Sequence, residues 1–309
     1  MTWGSPASLA RVGDRWTEVR TNAHGRLSQL AQGFVRRLEP NRTMVLSEYP
    51  VDSRSMWGWD RPPNPWVSAV LERAMPHVVA LAAELDELAD WCSTVPRTAP
   101  PGGALSWDNH YWASIDAVMQ VHALKTRRCA TYLEVGSGFS TMFARRAIED
   151  FDLPTRIVSV DPSPRADIDL ICDEVIRSPF QYVAAEVLAR LAPGDVFLFD
   201  GSHLATMGSD ASTLFSGPLN DVPDGVLLGI DDIFLPDDYH PTWAGRWYGE
   251  QYLVAAWLLG GHDGWSIRLP SWHATDPARD RDLFAALWPA IESWGGRRAT
   301  ALWMERDAR

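Results

Sequence analysis

The amino-acid sequence predicts a doubly wound α/β fold around a mostly parallel sheet of seven strands. From residue 130 onwards, short apolar runs alternate with stretches of helical periodicity, which is typical of a parallel sheet covered on both faces. Three of these runs also end in an aspartate and a fourth is followed by a glycine, as expected where strand ends contact a ligand. Whether the last strands run parallel or reversed is left open.

Helices and loops are expected before this pattern. Residues 1–40 and 67–91 predict helices, and the proline- and tryptophan-rich stretch LSEYPVDSRSMWGWDRPPNP between them predicts a loop. Pro and Gly also crowd residues 93–106, which predicts a linker. We therefore expect an N-terminal helical region, residues 1–105, that acts as a cap or provides substrate or subunit contacts, and a second domain, residues 106–309.

Seven apolar runs predict the strands of the second domain. In chain order they are ATYLEV (130–135), TRIVSVD (155–161), DEVI (173–176), GDVFLFD (194–200), GVLLGIDD (225–232), WSIRL (265–269) and RATALWME (298–305). In such sheets ligands bind beyond the carboxyl ends of the strands, near the switch in strand order. The residues that end the strands are therefore the candidates for function.

The composition excludes several classes of protein. A formal net charge of −12 and a pI near 5.1 argue against binding to nucleic-acid phosphates, which requires clustered Lys and Arg. Three well-separated cysteines predict neither a disulfide framework nor a zinc site, and no apolar run reaches the roughly 18 residues of a membrane span. We expect a cytoplasmic protein without nucleic-acid or membrane partners, and a homodimer is left open.

The first strand ends in a glycine loop that predicts a cofactor site. In TYLEVGSGFSTMFARRAIE, Gly136 and Gly138 allow a tight turn before the N–H groups that begin a helix. Alone, this pattern also fits a plain strand-to-helix turn. The next strand, however, ends in Asp161, whose carboxylate can accept both hydroxyls of a ribose, and the pair favours a nucleoside ligand. Ser140 and Thr141 follow instead of the last glycine of GxGxxG, which argues against a dehydrogenase.

EVGSGFST followed by VSVDPSPR resembles the class I S-adenosylmethionine-dependent methyltransferases, which have a Rossmann-like fold. The resemblance covers residues 105–309 and implies that the glycine loop holds the methionine part of the cofactor and that Asp161 holds its ribose. It also implies adenine contacts from residues 177–181 and a lid over the cofactor from residues 109–111. The cofactor contacts implied in this way are Glu134, Gly136, Ser137, Gly138, Ser140, Asp161, Pro179, Phe180, Asp200 and Tyr111.

Acidic residues close the fourth and fifth predicted strands. Asp200 ends DVFLFD, and Asp231 and Asp232 end GVLLGIDD. Neighbouring carboxylates repel one another unless a proton, hydrogen bonds or a cation offsets their charge, and Mg²⁺ prefers oxygen ligands. We expect these residues to hold Mg²⁺. The alternative for the pair is a solvated turn in which Asp232 caps the next segment.

His203 is the candidate base, because it follows Asp200 by three residues and an imidazole titrates near neutral pH. These residues resemble the metal-dependent O-methyltransferases of natural-product and sugar pathways. That resemblance implies that Asp200 and His203 are catalytic and that Asp200, Asp231 and Asp232 bind the metal. The segment IDDIFLPDDYHPTW resembles a larger group that usually begins it with His-Asp, so metal dependence is left open. The alternative for His203 is a structural histidine bonded to a backbone carbonyl.

Residues after the fifth strand are candidates for contact with the methyl acceptor. Tyr239, His240 and Trp243 are assigned to the acceptor, and His240 is also a reserve base. Glu250 and Gln251 begin a predicted helix and hold either this loop or the acceptor. Upstream, Asp116 is expected on a helix surface or as a capping acid.

Three functions fit these observations. The first is O-methylation of a hydroxyl on a sugar or other polar small molecule, with S-adenosylmethionine and Mg²⁺. The second is metal-free N- or O-methylation, with His203 alone as base and the acidic pair orienting the acceptor. The third is nucleoside binding without catalysis. Sixteen tryptophans, clustered at residues 57–66, 107–112 and 243–247, favour core packing over a substrate pocket, although a Trp face could stack on a sugar ring.

Overall fold

The computed structural model of the chain describes residues 54–99, 105–112, 114–164, 167–277, 283–292 and 298–308. By its internal contacts the chain divides into Met1–Ser53 and Arg54–Arg309, and the described elements lie in the second unit. The helices predicted within residues 1–40 and residues 100–104 of the predicted linker lie outside the described residues. The domain boundary at residue 105 stays a prediction.

A single seven-stranded sheet contains all seven predicted strands. They are β1 Thr131–Val135, β2 Arg156–Val160, β3 Glu174–Ile176, β4 Val196–Phe199, β5 Leu227–Ile230, β6 Trp265–Pro270 and β7 Leu302–Arg306. Their order across the sheet is β3-β2-β1-β4-β5-β7-β6. The first five strands pair in parallel, whereas β7 runs antiparallel to both β5 and β6. Of the last strands, only β7 is therefore reversed, and the predicted doubly wound fold is confirmed.

Helices flank the sheet on both sides. Those that the structure describes are α1 Pro65–Asp86, α2 Ala89–Cys92, α3 Ser114–Arg127, α4 Phe139–Asp150, α5 Phe180–Leu188, α6 Asp210–Phe215, α7 Glu250–Leu259, α8 Ser271–Ala274 and α9 Trp288–Ile291. Short 3₁₀ turns occupy Asp169–Ile171, Pro218–Asp221 and Pro241–Arg246. α1 begins after Asn64, whose side-chain oxygen accepts the N–H groups of Trp66 (3.1 Å) and Val67 (3.2 Å), as a helix N-cap does.

The sheet buries alternate residues on its two faces. One face packs against α3, α4 and the second half of α1, and the other packs against α5, α6, α7 and the first half of α1. The buried strand residues of the first face include Tyr132, Ile157, Val196, Leu198 and Leu227. Those of the second face include Leu133, Val135, Val158, Phe197 and Leu228. α1 therefore contributes residues to the hydrophobic core on each face of the sheet.

The tryptophan clusters differ from one another. Trp107 and Trp112 are buried in the core, as the packing interpretation predicts, whereas Trp59, Trp66 and Trp247 are exposed. All three cysteines are free. In the part of the chain that the structure describes, no helix combines the length and the apolar character that crossing a bilayer requires.

Candidate active site

Three strand ends lie side by side next to the switch in strand order between β1 and β4. Backbone hydrogen bonds extend the ladder past the strands. The N–H of Gly136 donates to β2 (3.1 Å), that of Asp200 to β1 (2.9 Å) and that of Asp231 to β4 (3.0 Å). These bonds fix the three residues at the carboxyl edge of the sheet, where open α/β sheets bind their ligands.

The two glycines of the loop after β1 have different surroundings. Gly136 has a φ of +76°, and a Cβ there would lie 1.8 Å from the carbonyl oxygen of Asp200, so only glycine fits. A Cβ on Gly138 would meet no atom within 4 Å. The loop therefore packs tightly against Asp200 at Gly136 and has free space beside Gly138. Open space next to the N-terminus of α4 fits a bound cofactor.

Asp161 lies beside this loop at the end of β2. Its Oδ2 accepts the N–H of Ser137 (2.9 Å), and its Oδ1 accepts the N–H of Ser163 (2.7 Å). An ionised carboxylate offers about four acceptor positions, so Asp161 keeps capacity for the hydroxyl donors of a ribose. Ser137 Oγ lies 2.6 Å from Ser159 Oγ, so the Ser137 hydroxyl is bonded within the protein.

Glu134 is buried under the glycine loop. It accepts hydrogen bonds from the hydroxyls of Tyr132 (2.7 Å) and Thr141, and the Thr141 hydroxyl accepts the N–H of Gly138 (2.9 Å). Burial raises the pKa of Glu134 to about 7, although these hydrogen bonds lower it. Ser140, also buried, accepts from a glutamine amide through its carbonyl (3.0 Å). Glu134 thus holds the loop from beneath, and its assignment to the cofactor stays a prediction.

The remaining predicted cofactor residues differ in where they lie. The ring of Tyr111 stacks on Phe139, the first residue of α4, with ring centroids 5.9 Å apart. Phe180 begins α5, and its buried ring lies 5.3 Å from the ring of Phe199, so this side chain is part of the core. Pro179 is the N-cap residue of α5. Tyr111 is therefore adjacent to the loop, while the adenine contacts stay a prediction.

His203 is buried, and its two ring nitrogens face three carboxylates. Nδ1 lies 2.9 Å from Glu250 Oε2. Nε2 lies 3.2 Å from Asp200 Oδ1 and 3.4 Å from Asp232 Oδ2. The ring thus bonds to carboxylates at the ends of β4 and β5 and at the start of α7, rather than to a backbone carbonyl.

These carboxylates favour the charged form of His203. Burial lowers its pKa, but the hydrogen bonds to Asp200 and Glu250 and the charge of Asp232 outweigh burial and raise the pKa well above its usual range. Burial likewise raises the pKa of Glu250 to about 7, against the effect of its bond to His203. The protonated ring offsets the charge of the surrounding acids, and the neutral ring is the form that can accept a proton.

His203 and Asp232 both have left-handed backbone conformations, with φ of +59° and +54°. Such conformations are uncommon outside glycine, although Asp and His adopt them more readily than most residues. They occur preferentially at functional sites, where the surrounding structure holds them. Asp231 is buried as well, and the roles of His203 and Asp232 stay a prediction.

The three predicted metal ligands do not fit a metal ion as they lie. In the described ranges, no group of three or more His, Cys, Asp or Glu is placed to hold an ion. Nε2 of His203 lies near both Asp200 and Asp232, and Asp231 Oδ1 accepts the hydroxyl of Thr300 (3.1 Å). The magnesium site therefore stays a prediction.

Asp116 is buried on α3, so the expectation of a surface or capping acid is wrong. Its Oδ2 accepts the N–H groups of Thr300 (2.8 Å) and Ala301 (2.9 Å), and its Oδ1 accepts from the Ser271 hydroxyl and from Trp303 Nε1 (3.3 Å). Burial raises its pKa to about 6. The stretch SIDAVMQV could have indicated this burial, because most of its residues are apolar and an acid buried among them needs hydrogen-bond partners inside the protein.

Sequence reasoning missed the connection between Asp116 and the acids of β5. Thr300 donates its N–H to Asp116 (2.8 Å) and its hydroxyl to Asp231 (3.1 Å). Burial and the charges of neighbouring aspartates raise the pKa of Asp231 well above its usual range. Thr300 lies in a loop before β7, far from β5 in sequence, and no spacing rule predicts the contact.

Aromatic residues line the site beyond β5. The ring of Tyr248 lies 4.7 Å from His203 and 5.6 Å from Tyr239. Trp243 packs against both tyrosines, at 5.7 Å and 6.3 Å. Tyr239 is buried, and its hydroxyl accepts the N–H of Gln251 (3.1 Å), so Gln251 holds this loop. Two of the predicted acceptor residues, Tyr239 and Trp243, thus belong to one aromatic wall that begins at His203.

Comparison with known proteins gives a family match over part of the chain. Residues 133–233 match the model of a family described as a methyltransferase domain. This stretch extends from β1 to the end of β5, and it contains the glycine loop, Asp161, Asp200, His203 and Asp231. No curated protein matches the sequence.

Solved structures of low identity resemble the chain. The SAH-bound methyltransferase PaMTH1 of Podospora anserina is 14% identical, with 73% of this chain and 88% of that chain covered and a TM-score of 0.42. The O-methyltransferase of Bacillus cereus in complex with SAH is 13% identical, with 90% and 97% covered and a TM-score of 0.39. MycE, from the mycinamycin biosynthetic pathway and in complex with Mg, SAH and mycinamycin VI, is 16% identical, with 72% and 54% covered and a TM-score of 0.38.

Proposed function

We propose that this chain, which carries an S-adenosylmethionine-dependent methyltransferase domain, transfers a methyl group to a hydroxyl of a sugar or other polar small molecule. The observation that carries the proposal is the position of Asp200. Its carbonyl lies against Gly136 of the cofactor loop, and its side chain lies 3.2 Å from His203. Asp200 therefore contacts both the glycine loop that would hold the cofactor and the histidine that would accept the proton.

The residues around the glycine loop would hold the cofactor. The open space at Gly138 would take its methionine part and Asp161 its ribose hydroxyls, and Tyr111 stacks on Phe139, which follows Gly138. S-adenosylmethionine supplies a methyl group on a positively charged sulfur. Carboxylates at the adjacent strand end suit that positive charge.

Asp200 and His203 together would remove the acceptor's proton. An alcohol attacks poorly unless its proton leaves as the new bond forms. The Asp200 side chain is 36% exposed and that of His203 is 7% exposed, so an acceptor hydroxyl meets Asp200 with the imidazole directly behind it. Glu250 on Nδ1 orients the ring and stabilises its charged form, as the third member of such an array does.

The arrangement of His203 favours metal-free transfer over Mg²⁺-assisted transfer. Nε2 of His203 lies 3.2 Å from Asp200 and 3.4 Å from Asp232, so the ring takes the position that a cation shared by these acids would occupy. Mg²⁺ remains the alternative drawn from the sequence, and N-methylation and nucleoside binding without catalysis are the others. The aromatic wall beyond β5 supports an acceptor with an apolar face as well as hydroxyls, such as a sugar or another natural product.

Two measurements test the proposed function. Calorimetric titration should detect S-adenosylhomocysteine binding that Gly138→Val abolishes by filling the open space. Gly217→Val is the matched control, because a Cβ there also meets no atom within 4 Å. Labelled S-adenosylmethionine incubated with a panel of hydroxyl and amine compounds, or with extract of the source organism, should then give a methylated hydroxyl compound. Absence of S-adenosylhomocysteine binding, or transfer to amines alone, would overturn the proposal.

A further inference from the structure

A stretch before α1 lies against the loop that follows β5. This stretch, the Trp59 segment, comprises residues 54–64. The N–H groups of Met56 and Trp57 (3.0 Å for Trp57) donate to Asp238 Oδ2, and Trp59 Nε1 donates to the carbonyl of Asp238 (3.0 Å). The N–H of Asp238 donates in return to the carbonyl of Trp57 (3.1 Å). Asp238 is buried and therefore acts as a fixed anchor for the Trp59 segment.

Two further contacts bring the backbones close together. Gly58 has a φ of +70°, and a Cβ there would lie 2.4 Å from the Cβ of Asp237, so a side chain at this position would separate the segment from the loop. The N–H of Asn64 donates to the carbonyl of Pro236 (2.9 Å). A proline-rich stretch without regular structure is thus held in one position by the loop next to the catalytic acids.

The contacts place Trp59 at the end of the aromatic wall. Its ring lies 4.4 Å from that of His240 and 5.8 Å from that of Trp272. Trp272 lies 4.8 Å from Phe234, which follows Asp232 by two residues. The Phe234 ring in turn lies 5.7 Å from Tyr239 and 5.2 Å from Trp243, so packed rings connect Trp59 to the aromatic wall.

Trp59 differs from a tryptophan that serves packing alone. Trp107 bonds its Nε1 to a carbonyl (3.0 Å) and is fully buried. Trp59 also bonds its Nε1 to a carbonyl, yet 38% of the residue stays exposed. Beside it, His240 Nδ1 lies 2.7 Å from the Thr242 hydroxyl, and within the described residues its Nε2 has no hydrogen-bond partner. A partly exposed indole next to an imidazole nitrogen that makes no hydrogen bond in the described residues suits a ring that carries hydroxyls.

We propose that Trp59 and His240 form a subsite for a hydroxyl-bearing ring of the methyl acceptor, and that Asp238 is the residue that positions it. The ring stacks on Trp59, and a ring hydroxyl bonds to His240 Nε2. This inference rests on the proposed function, because it assigns a second contact to the same acceptor. Residues before α1 then determine which acceptors the methyltransferase domain accepts.

The test measures binding rather than turnover. Phenyl glycosides of glucose, galactose, mannose and rhamnose are titrated by saturation-transfer NMR in the presence of saturating S-adenosylhomocysteine, with sorbitol as the ring-free probe. We expect at least one glycoside to bind and Trp59→Ala to weaken it about tenfold. Trp91→Ala, at a half-buried tryptophan on α2 whose Nε1 also donates a hydrogen bond (2.8 Å, to Asp150), is the matched control and should leave binding unchanged.

The positioning role of Asp238 has its own readout. Asp238→Ala should weaken the glycoside as much as Trp59→Ala does, and the double variant should be no weaker than either one. Tyr252→Phe, which removes only the hydroxyl that donates to Asp238 Oδ1 (3.3 Å), should bind normally. Additive losses would show that Asp238 does not act through Trp59. His240→Ala should also weaken the glycoside.

The outcomes separate this inference from the proposed function. Glycoside binding that survives Trp59→Ala, binding of sorbitol as tight as that of the glycosides, or no glycoside binding to the unaltered protein overturns the subsite. None of these results affects S-adenosylhomocysteine affinity or methyl transfer to a hydroxyl, which test the proposed function alone. Equal S-adenosylhomocysteine affinity in all variants shows that their folds are intact.

Discussion

Asp116 and Glu250 are both fully buried acids near the same edge of the sheet, yet their partners differ in kind. Asp116 accepts hydrogen bonds from two backbone N–H groups, a hydroxyl and an indole. None of these donors titrates near neutral pH. Glu250 bonds through one oxygen to the imidazole of His203, and its other oxygen, Oε1, has no partner among the described residues.

The difference shows how the surroundings of a buried acid indicate its role. Four donors that keep their protons fix Asp116 in one place and tie α3 to α8 and β7, which is a structural task. A titratable partner and an unused oxygen leave Glu250 able to share or release a proton. Burial and a raised pKa are common to both acids, so neither property alone identifies an active site.

The largest expected effect is on catalysis. If His203 is the base, as proposed, His203→Asn should lower kcat by about 10²- to 10⁴-fold, because it removes the proposed proton acceptor. S-adenosylhomocysteine affinity should not change. His77→Asn, on the exposed side of α1, is the matched control. A variant that turns over at the normal rate would remove His203 from the proposed chemistry.

A loss of stability should follow from the structural acid. Asp116→Ala leaves four buried donors without their acceptor and should lower the free energy of unfolding by about 3 kcal/mol, measured by urea denaturation. Ser271→Ala removes one donor and should cost less. Asp90→Ala, on an exposed position, should be neutral. Equal effects of the Asp116 and Asp90 variants would contradict the structural role.

A smaller effect is expected on pH dependence. The groups that face His203 are Asp200, Asp232 and Glu250, with the ring of Tyr248 beside them. Because they raise the pKa of His203, its neutral form, and with it kcat/KM, should increase with pH through a value above 6.5. Glu250→Gln removes one negative charge and lowers the pKa of His203. The rise of kcat/KM with pH should therefore move to lower pH by about one unit.

The control for this pH profile is Glu149→Gln, at an exposed glutamate of α4, which should leave the rise of kcat/KM at the same pH. If the rise of kcat/KM stays at the same pH in Glu250→Gln, or moves to higher pH, the pH profile reports the titration of a group other than His203.

The smallest expected effect is that of metal removal. EDTA treatment followed by dialysis should leave methyl transfer unchanged, because His203 Nε2 lies 3.2 Å from Asp200 and 3.4 Å from Asp232, where a shared cation would otherwise bind. Activity is measured with labelled cofactor before and after treatment. Loss of activity that added Mg²⁺ restores, and Ca²⁺ does not, would support the magnesium site expected from the sequence.

The sequence was most informative where chemistry follows local pattern. Each strand was predictable from its apolar run, and parallel strands bring their carboxyl ends to one edge, so Asp161, Asp200 and Asp231 could be placed together in advance. His203 followed because it is three residues from Asp200. These inferences need only the periodicity of strands and the topology of an open sheet.

The contacts that the sequence could not supply join segments distant in the chain. Asp238 holds the Trp59 segment across about 180 residues, and Asp116 reaches the loop before β7 across a similar distance. Glu250 was singled out at the start of a helix, but its bond to His203 depends on how α7 packs. Tertiary packing decides such pairs, and no spacing within one segment encodes it.

The contrast between the two glycines of the cofactor loop guides the engineering of alternative cofactors. A side chain at Gly136 would displace the carbonyl of Asp200, so the glycine loop and the end of β4 cannot be redesigned separately there. Gly138 has free volume on its α-carbon side. Libraries intended to accept sulfonium analogues with bulkier alkyl groups should therefore keep Gly136 invariant and leave Gly138 small, placing diversity in the Trp59 segment and the aromatic wall.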